Sequence, residues 1–172
     1  MQQEYQCQFR SVLRTDLIKI FEIEKRVFGE DKFDIMLLHD LVQHAIYFQV
    51  LEEVHSLEMI GFCIAMELDS QNNDLTLELH GLSKQYVKSA HIVNIAIDTP
   101  YQHRGFGKLL LYNCLDHLRQ HRYFKVQLEV NTNNLKAMML YKQAGFRQIE
   151  FLANYYQSGA NAYRMELILV NN

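Results

Sequence analysis

The sequence predicts an α/β domain, an αβα sandwich whose helices cover a central mixed, mostly antiparallel sheet of about seven strands. Three observations predict it. The first quarter carries apolar residues at helical spacing. The middle carries short apolar or alternating runs separated by polar turns. The second half alternates strand-like and helix-like segments, the pattern of a βαβ unit with a parallel strand pair and a right-handed crossover.

Taken in order, Thr15 and Asp16 can cap a helix whose inward face is Leu17, Ile20, Phe21, Ile23, Val27 and Phe28, with Gly29 to end it. A second helix over residues 33–42 would turn Ile35, Leu38 and Leu41 inward. Strands are expected at Ile46–Leu51, Met59–Met66 and Leu75–Leu79, as an antiparallel meander. His91–Ile97 reads as the next strand, and residues 107–121 as a helix with Leu110, Leu111, Cys114, Leu115 and Leu118 on one face. Val126–Val130 alternates, so Val126, Leu128 and Val130 face one way and Gln127 and Glu129 the other. Asn133 or Asn134 then caps a helix carrying Ala137, Tyr141 and Ala144, with Gly145 at its C′ position. Strands near 146–152 and 162–169 close the chain.

The chain is one domain by length, 172 residues without a linker or repeat. Its 17 basic and 20 acidic residues leave a net charge of −3, which argues against a general nucleic-acid binder. The charge is uneven. Residues 52–78 hold seven acids and no Lys or Arg, a solvated face or an entrance for a cationic substrate. Residues 101–125 hold five Lys or Arg against Asp116 alone. Three cysteines without a paired spacing read as reduced thiols. The N-terminus has no basic and apolar run of a signal peptide, and no apolar stretch approaches the ~20 residues of a membrane span. A cytoplasmic protein with no membrane partner is the expectation. His117 and His121 stand four apart on a helix, but no acidic partner completes a metal set, so no metal is expected.

Between the strand 91–97 and its helix lies Asp98-Thr-Pro-Tyr-Gln-His-Arg-Gly-Phe-Gly-Lys. Gly105 and Gly107 allow the backbone to turn N–H groups toward one point at a helix N-terminus, where a phosphate fits, helped by Arg104 and Lys108. The lone proline, Pro100, stiffens the approach. A tight turn with no ligand is the plain alternative. A P-loop would need Ser or Thr where Leu109 stands, and a dinucleotide fingerprint would need Gly or Ala at Leu110.

Gln102-His-Arg-Gly-Phe-Gly resembles the Gln/Arg-x-x-Gly-x-Gly/Ala signature of the GNAT superfamily of acetyl-CoA-dependent N-acetyltransferases. Asn94-Ile-Ala-Ile, Leu128-Glu-Val-Asn-Thr-Asn-Asn and Ala137-Met-Met-Leu-Tyr-Lys-Gln-Ala-Gly-Phe extend the resemblance. With Asn154-Tyr-Tyr they are most similar to the ribosomal-protein alanine N-acetyltransferase branch, which acetylates protein N-termini. The match covers roughly Ile92 to Leu169. The resemblance implies acetyl-CoA as co-substrate, with its pantetheine arm along Ile95, Ala96 and Ile97. It implies the pyrophosphate on Gln102, His103, Arg104, Gly105, Phe106, Gly107 and Lys108, and a coenzyme contact from Asn134. Glu129 falls at the branch's general-base position and Tyr141 at its general-acid position, close to the coenzyme sulfur.

Those roles suit the chemistry. The attacking amine must lose a proton and the departing thiolate must gain one. An α-amine, with a reference pKa of about 7.7–8.0, asks less of a base than a lysine amine at about 10.4. Backbone N–H groups near Ala96 and Ile97 are candidates to hold the oxyanion. Phe28, Tyr155 and Tyr156 are expected to grip the acceptor. The branch commonly has Phe-Pro in the first helix–helix loop, where this chain has Phe28-Gly-Glu-Asp-Lys-Phe, and the connection from Gly81 to Ala90 is longer. Both departures fall where acceptors bind. The expected activity is direct acetyl transfer in a ternary complex to a protein or peptide N-terminal amine, with the oligomeric state left open. A small amine (a polyamine or amino sugar) as acceptor, and a non-catalytic acetyl-CoA-binding module, are the alternatives.

Overall fold

The computed structural model describes residues 6–68 and 88–169. Its elements in chain order are β1 (Cys7–Ser11), α1 (Leu17–Phe28), α2 (Ile35–His44), β2 (Tyr47–Glu53), β3 (Met59–Glu67) and β4 (Ser89–Ile97). There follow α3 (Phe106–Gln120), β5 (Lys125–Asn131), α4 (Leu135–Gln143), β6 (Arg147–Leu152) and β7 (Ala162–Ile168). One seven-stranded sheet runs β1-β2-β3-β4-β5-β7-β6, with β4 and β5 parallel and every other pair antiparallel. Among the described residues no helix is long and apolar enough to cross a membrane.

The αβα sandwich is present. Ile20 and Ile23 of α1 and Leu38 and Leu41 of α2 bury against Phe48, Val50, Phe62 and Ile64 on one face of the sheet. On the other face Leu110, Leu111, Cys114, Leu115 and Leu118 of α3 meet Ile60, Cys63, Val126 and Leu128. Each such aliphatic side chain, fully buried, contributes roughly 1.5–3 kcal/mol.

The structure adds one strand and changes two expectations, and one expected strand lies outside the described residues. β1 was not visible as a strand, and it takes the sheet's outer position beside β2. The expected strand 75–79 lies outside the described residues, as does most of the 81–90 connection; β3 pairs directly with β4. Ile35 is exposed rather than inward, because α2 starts at Ile35 itself, with Asp34 as the cap accepting the Leu37 N–H at 2.8 Å. Asp16 precedes α1 but does not cap it through its side chain. Its carboxylate takes the Arg10 guanidinium at 2.6 and 2.9 Å and the Leu13 N–H at 2.7 Å, since a bidentate charge-assisted pair outweighs a neutral cap.

Two details position the site. β4 and β5 share only the rungs Ser89–Lys125, Ala90–Val126 and His91–Gln127, and then part. β4 also carries a bulge: Asn94 pairs with Ile64 and Ile92 with Ala65, leaving Val93 unmatched. A bulge re-aims the side chains around it. Val93, Asn94 and Ala96 therefore serve the α1 side, while Ile95 and Ile97 serve the α3 side.

Candidate active site

Where β4 and β5 part, a cleft of about 570 Å³ opens. Its walls are Ile92–Ile95 of β4, Leu128–Asn131 of β5, Asn134, Ala137 and Tyr141 around α4, and Val27, Phe28, Asp31, Phe33 and Tyr156 from the flanking loops and α1. Strand geometry fixes which backbone groups face the gap. The Asp98 N–H donates to Ile60 O at 2.8 Å. Alternation in an antiparallel ladder then turns the Ala96 amide toward β3 and the Ile95 and Ile97 amides toward the gap. Of the two amides expected to face the oxyanion, Ala96 therefore faces away, while Ile97, with Ile95, faces the gap.

The loop after β4 is anchored at several points. Asp98, almost fully buried, accepts a bidentate pair from Arg26 of α1 at 2.9 and 2.8 Å and the Thr99 N–H at 2.8 Å. Tyr101 bonds Glu58 through its hydroxyl. The Gln102 side chain donates to Ile97 O at 3.0 Å, so it ties the loop to its own strand. Arg104 donates to Pro100 O at 3.2 Å, and Lys108 lies 5.6 Å from the Tyr112 ring. Phe106 packs on the core beneath α3. Lys136, which sequence reasoning missed, brings its ammonium to 3.5 Å from His103 Nε2.

Gly105 caps α3 with φ 88°, a left-handed conformation that a side chain resists. Gly107 is different. A Cβ there would meet only Ile97 and Leu140, both at 3.9 Å, so the fold itself leaves room for a side chain. The loop, the exposed α3 N-terminus and the outward-facing β4 amides together fit a ligand with a phosphate group and an amide-bearing arm.

Glu129 lines the cleft and is pinned. Its Oε2 accepts from His91 Nε2 at 2.5 Å and its Oε1 from Arg164 Nε at 2.8 Å. Burial opposes ionisation, but the His91 and Arg164 partners outweigh it and hold the carboxyl down to about 2. Tyr155 lies outside the cleft wall but close to that carboxylate; burial, reinforced by the Glu129 charge, pushes its phenol up to about 12. Tyr141 is raised above the usual phenol range, chiefly by burial, and so keeps its proton. Tyr156, also raised by burial, joins Phe28 in the wall. Asn134 lines the cleft and caps α4, accepting the Ala137 N–H at 3.1 Å.

Glu24 was missed by the sequence reading. It is fully buried on α1, accepts the Phe33 N–H at 3.0 Å and bonds the Asn94 side-chain amide. Burial pushes it up to about 7 despite those two donors. The available signal was an acid at an inward helical position, between Ile20 and Val27. His117 and His121 stack on each other at 4.0 Å, and among the described residues no cluster of His, Cys, Asp or Glu could hold a metal. The acidic run 52–78 is occupied where it is described. Glu52 takes Arg10 and Gln8, Glu53 takes the His55 and Ser56 N–H groups, and Glu58 takes Tyr101.

Comparison with known proteins agrees with this architecture. An N-alpha-acetyltransferase of Sulfolobus acidocaldarius is 39% identical over 80 residues, 46% of this chain and 48% of the relative. The ribosomal protein bS18-alanine N-acetyltransferase of Escherichia coli is 33% identical over 75 residues, 44% of this chain and 51% of the relative. The chain thus spans about half the length of the curated relatives it matches. Arabidopsis thaliana NAA60 in complex with acetyl-CoA shares the fold at a TM-score of 0.81 and 21% identity, over 95% of this chain and 100% of that one. Residues 14–146, from the turn before α1 through the parted strands to the end of α4, match the acetyltransferase (GNAT) family as a whole, and the chain belongs to that family.

Proposed function

We propose that the protein transfers an acetyl group from acetyl-CoA to the N-terminal α-amine of a protein or peptide, by direct attack in a ternary complex. The observation that carries this reading is the parting of β4 and β5 after His91–Gln127. It opens a slot with backbone amides on one side, Glu129 on the other and the Tyr141 hydroxyl in the wall. Acetyl-CoA would lie with its pyrophosphate on residues 102–108 and its arm along Ile95–Ile97. The Ile95 and Ile97 amides are oriented to polarise the thioester carbonyl.

The amine nitrogen bonds the carbonyl carbon and the C–S bond breaks. Tyr141, protonated because it is buried, gives its proton to the sulfur. The amine's proton needs an acceptor, and a carboxylate held near 2 is a weak one at neutral pH. Glu129 instead fixes the imidazole of His91. With Nε2–H donated to the carboxylate, Nδ1 keeps a lone pair, and His91, one residue before the cleft residue Ile92, would take the amine's proton through water. Glu129 then balances the imidazolium charge, so base and charge partner are divided between two residues. The small-amine reading rested on the acidic run, whose described members are tied up away from the cleft.

The deciding experiment presents acetyl-CoA with alanine- and serine-start peptides, spermidine and glucosamine, with products read by mass spectrometry. Acetylated peptide α-amines are expected. Turnover of the small amines with none on any peptide would overturn the proposal, and acetyl-CoA binding without transfer to any amine would favour a coenzyme-sensing module.

A further inference from the structure

Among the described residues that line the cleft, Asp31 and Glu129 are the charged ones. They are not equivalent. Glu129 is neutralised locally by Arg164 and bonded to His91. Asp31 is held by neutral donors: the Ser158 N–H reaches its Oδ1 at 2.9 Å and the Ser158 hydroxyl its Oδ2 at 2.8 Å. Among the described residues no ion pair reaches Asp31.

Its place is defined from both sides. Asp31 sits in the turn after α1, between the cleft residues Phe28 and Phe33, and Ser158 sits in the β6–β7 loop two residues after Tyr156. Two loops separated by more than a hundred residues are thus fastened together at the cleft wall. A carboxylate fixed by two hydrogen bonds cannot swing away from an incoming chain, so its field acts at one spot on the acceptor.

Building on the N-terminal acceptor reading, we propose that Asp31, fastened by Ser158, determines specificity. It selects acceptors whose residues next to the reacting amine are basic or neutral and rejects acidic ones. An acceptor enters with its α-amine partly protonated, and Asp31 draws that cation in. An acidic side chain beside the amine would be placed against a carboxylate in a half-closed cleft, where like charges repel without full solvent screening. A basic side chain gains the opposite interaction. Ser158 makes the charge positional rather than diffuse.

The test uses three short peptides identical except at the second residue, Ala-Arg, Ala-Ala and Ala-Glu, with acetyl-CoA. The reading is the ratio of kcat/KM for Ala-Arg over Ala-Glu within one enzyme, so a general loss of folding or turnover cancels. The wild type is expected to favour Ala-Arg by about tenfold or more. That ratio should shrink as salt shortens the screening length from about 30 Å at 0.01 M to about 8 Å at 0.15 M. Asp31→Asn is expected to bring the ratio near one, and Ser158→Ala to an intermediate value. A wild type indifferent to the second residue, or an Asp31→Asn ratio equal to the wild type's, overturns the assignment. A Ser158→Ala ratio equal to the wild type's removes Ser158 from it. If Ala-Ala is acetylated and the charge bias is absent, only this inference falls. If no peptide is acetylated, the acceptor reading falls, and calorimetric binding of the three peptides to the CoA complex gives the same ratio. Equal or undetectable binding there overturns the Asp31 assignment as well.

Discussion

His91 on β4 donates its Nε2–H to Glu129 on β5 across 2.5 Å, bridging the two parallel strands as they begin to separate. The bond holds an oriented imidazole against the cleft residue Glu129 where the strand ladder ends. It also stabilises the parted sheet, which has lost its backbone pairing there.

Removing either member of that pair separates their roles. Glu129→Gln keeps the side-chain shape and loses the charge; turnover is expected to fall by about 10²-fold, with acetyl-CoA affinity retained. His91→Phe should cost at least as much. Stability responds as well. The Glu129 carboxyl falls from 4.5 to about 2 in the folded state, so its ionised form stabilises the fold. That contribution, about 3 kcal/mol, is complete above pH 4.5 and is lost as pH falls toward 2. Glu129→Gln should flatten this part of the acid unfolding curve, measured by circular dichroism.

Tyr141→Phe removes one hydroxyl from a partly buried ring that packs on Phe146 at 5.8 Å between centroids. The ring's packing is kept, so the thermal midpoint should change little. Turnover should fall by about 10²–10³-fold while acetyl-CoA binding, read by calorimetry, persists. Turnover equal to the wild type's would remove Tyr141 from the acid role.

Residues whose role follows from local pattern were legible before the fold was known. α1, α3, α4 and most strands follow apolar period, and the Gly105 turn and the Asn134 cap follow local backbone chemistry. What stayed hidden depends on contacts distant in sequence. β1 is five residues long and half polar, and becomes a strand by pairing with β2 some forty residues later. The His91–Glu129, Arg26–Asp98 and Asp31–Ser158 bonds join residues 38, 72 and 127 positions apart, and no periodicity announces them. The bulge at Val93 left no mark in an apolar strand, yet it puts Asn94 on the side facing Glu24.

Gly61 on β3 is a spacing residue. A Cβ there would stand 2.3 Å from Ala96 O and 2.8 Å from Ile97 Cδ1, on the strand that carries the cleft amides. The backbone oxygen cannot yield without moving β4. Gly61→Ala is expected to lower stability by about 1–3 kcal/mol and to weaken acetyl-CoA binding by shifting the Ile95 and Ile97 amides. Thermal unfolding and calorimetry check both effects.

Glu24 supplies the opposite pH signature. Burial raises its carboxyl from 4.5 to about 7, so the folded chain holds this proton more tightly than the unfolded chain. The stabilisation is complete below pH 4.5 and is lost as pH rises through about 7, by an amount on the order of 3 kcal/mol. Glu24→Gln carries no titrating proton. Its amide oxygen can still accept the Phe33 N–H, while the Asn94 amide turns to accept from the glutamine nitrogen. The variant should therefore show a thermal midpoint that stays level between pH 5 and 8, taken as about the range of neutral buffers, where the wild type declines. Parallel curves would show that Glu24 keeps an ordinary carboxylate affinity in the folded chain. Because Phe33 and Asn94 both line the cleft, the acceptor KM of the wild type should rise relative to that of the variant as pH increases over the same range.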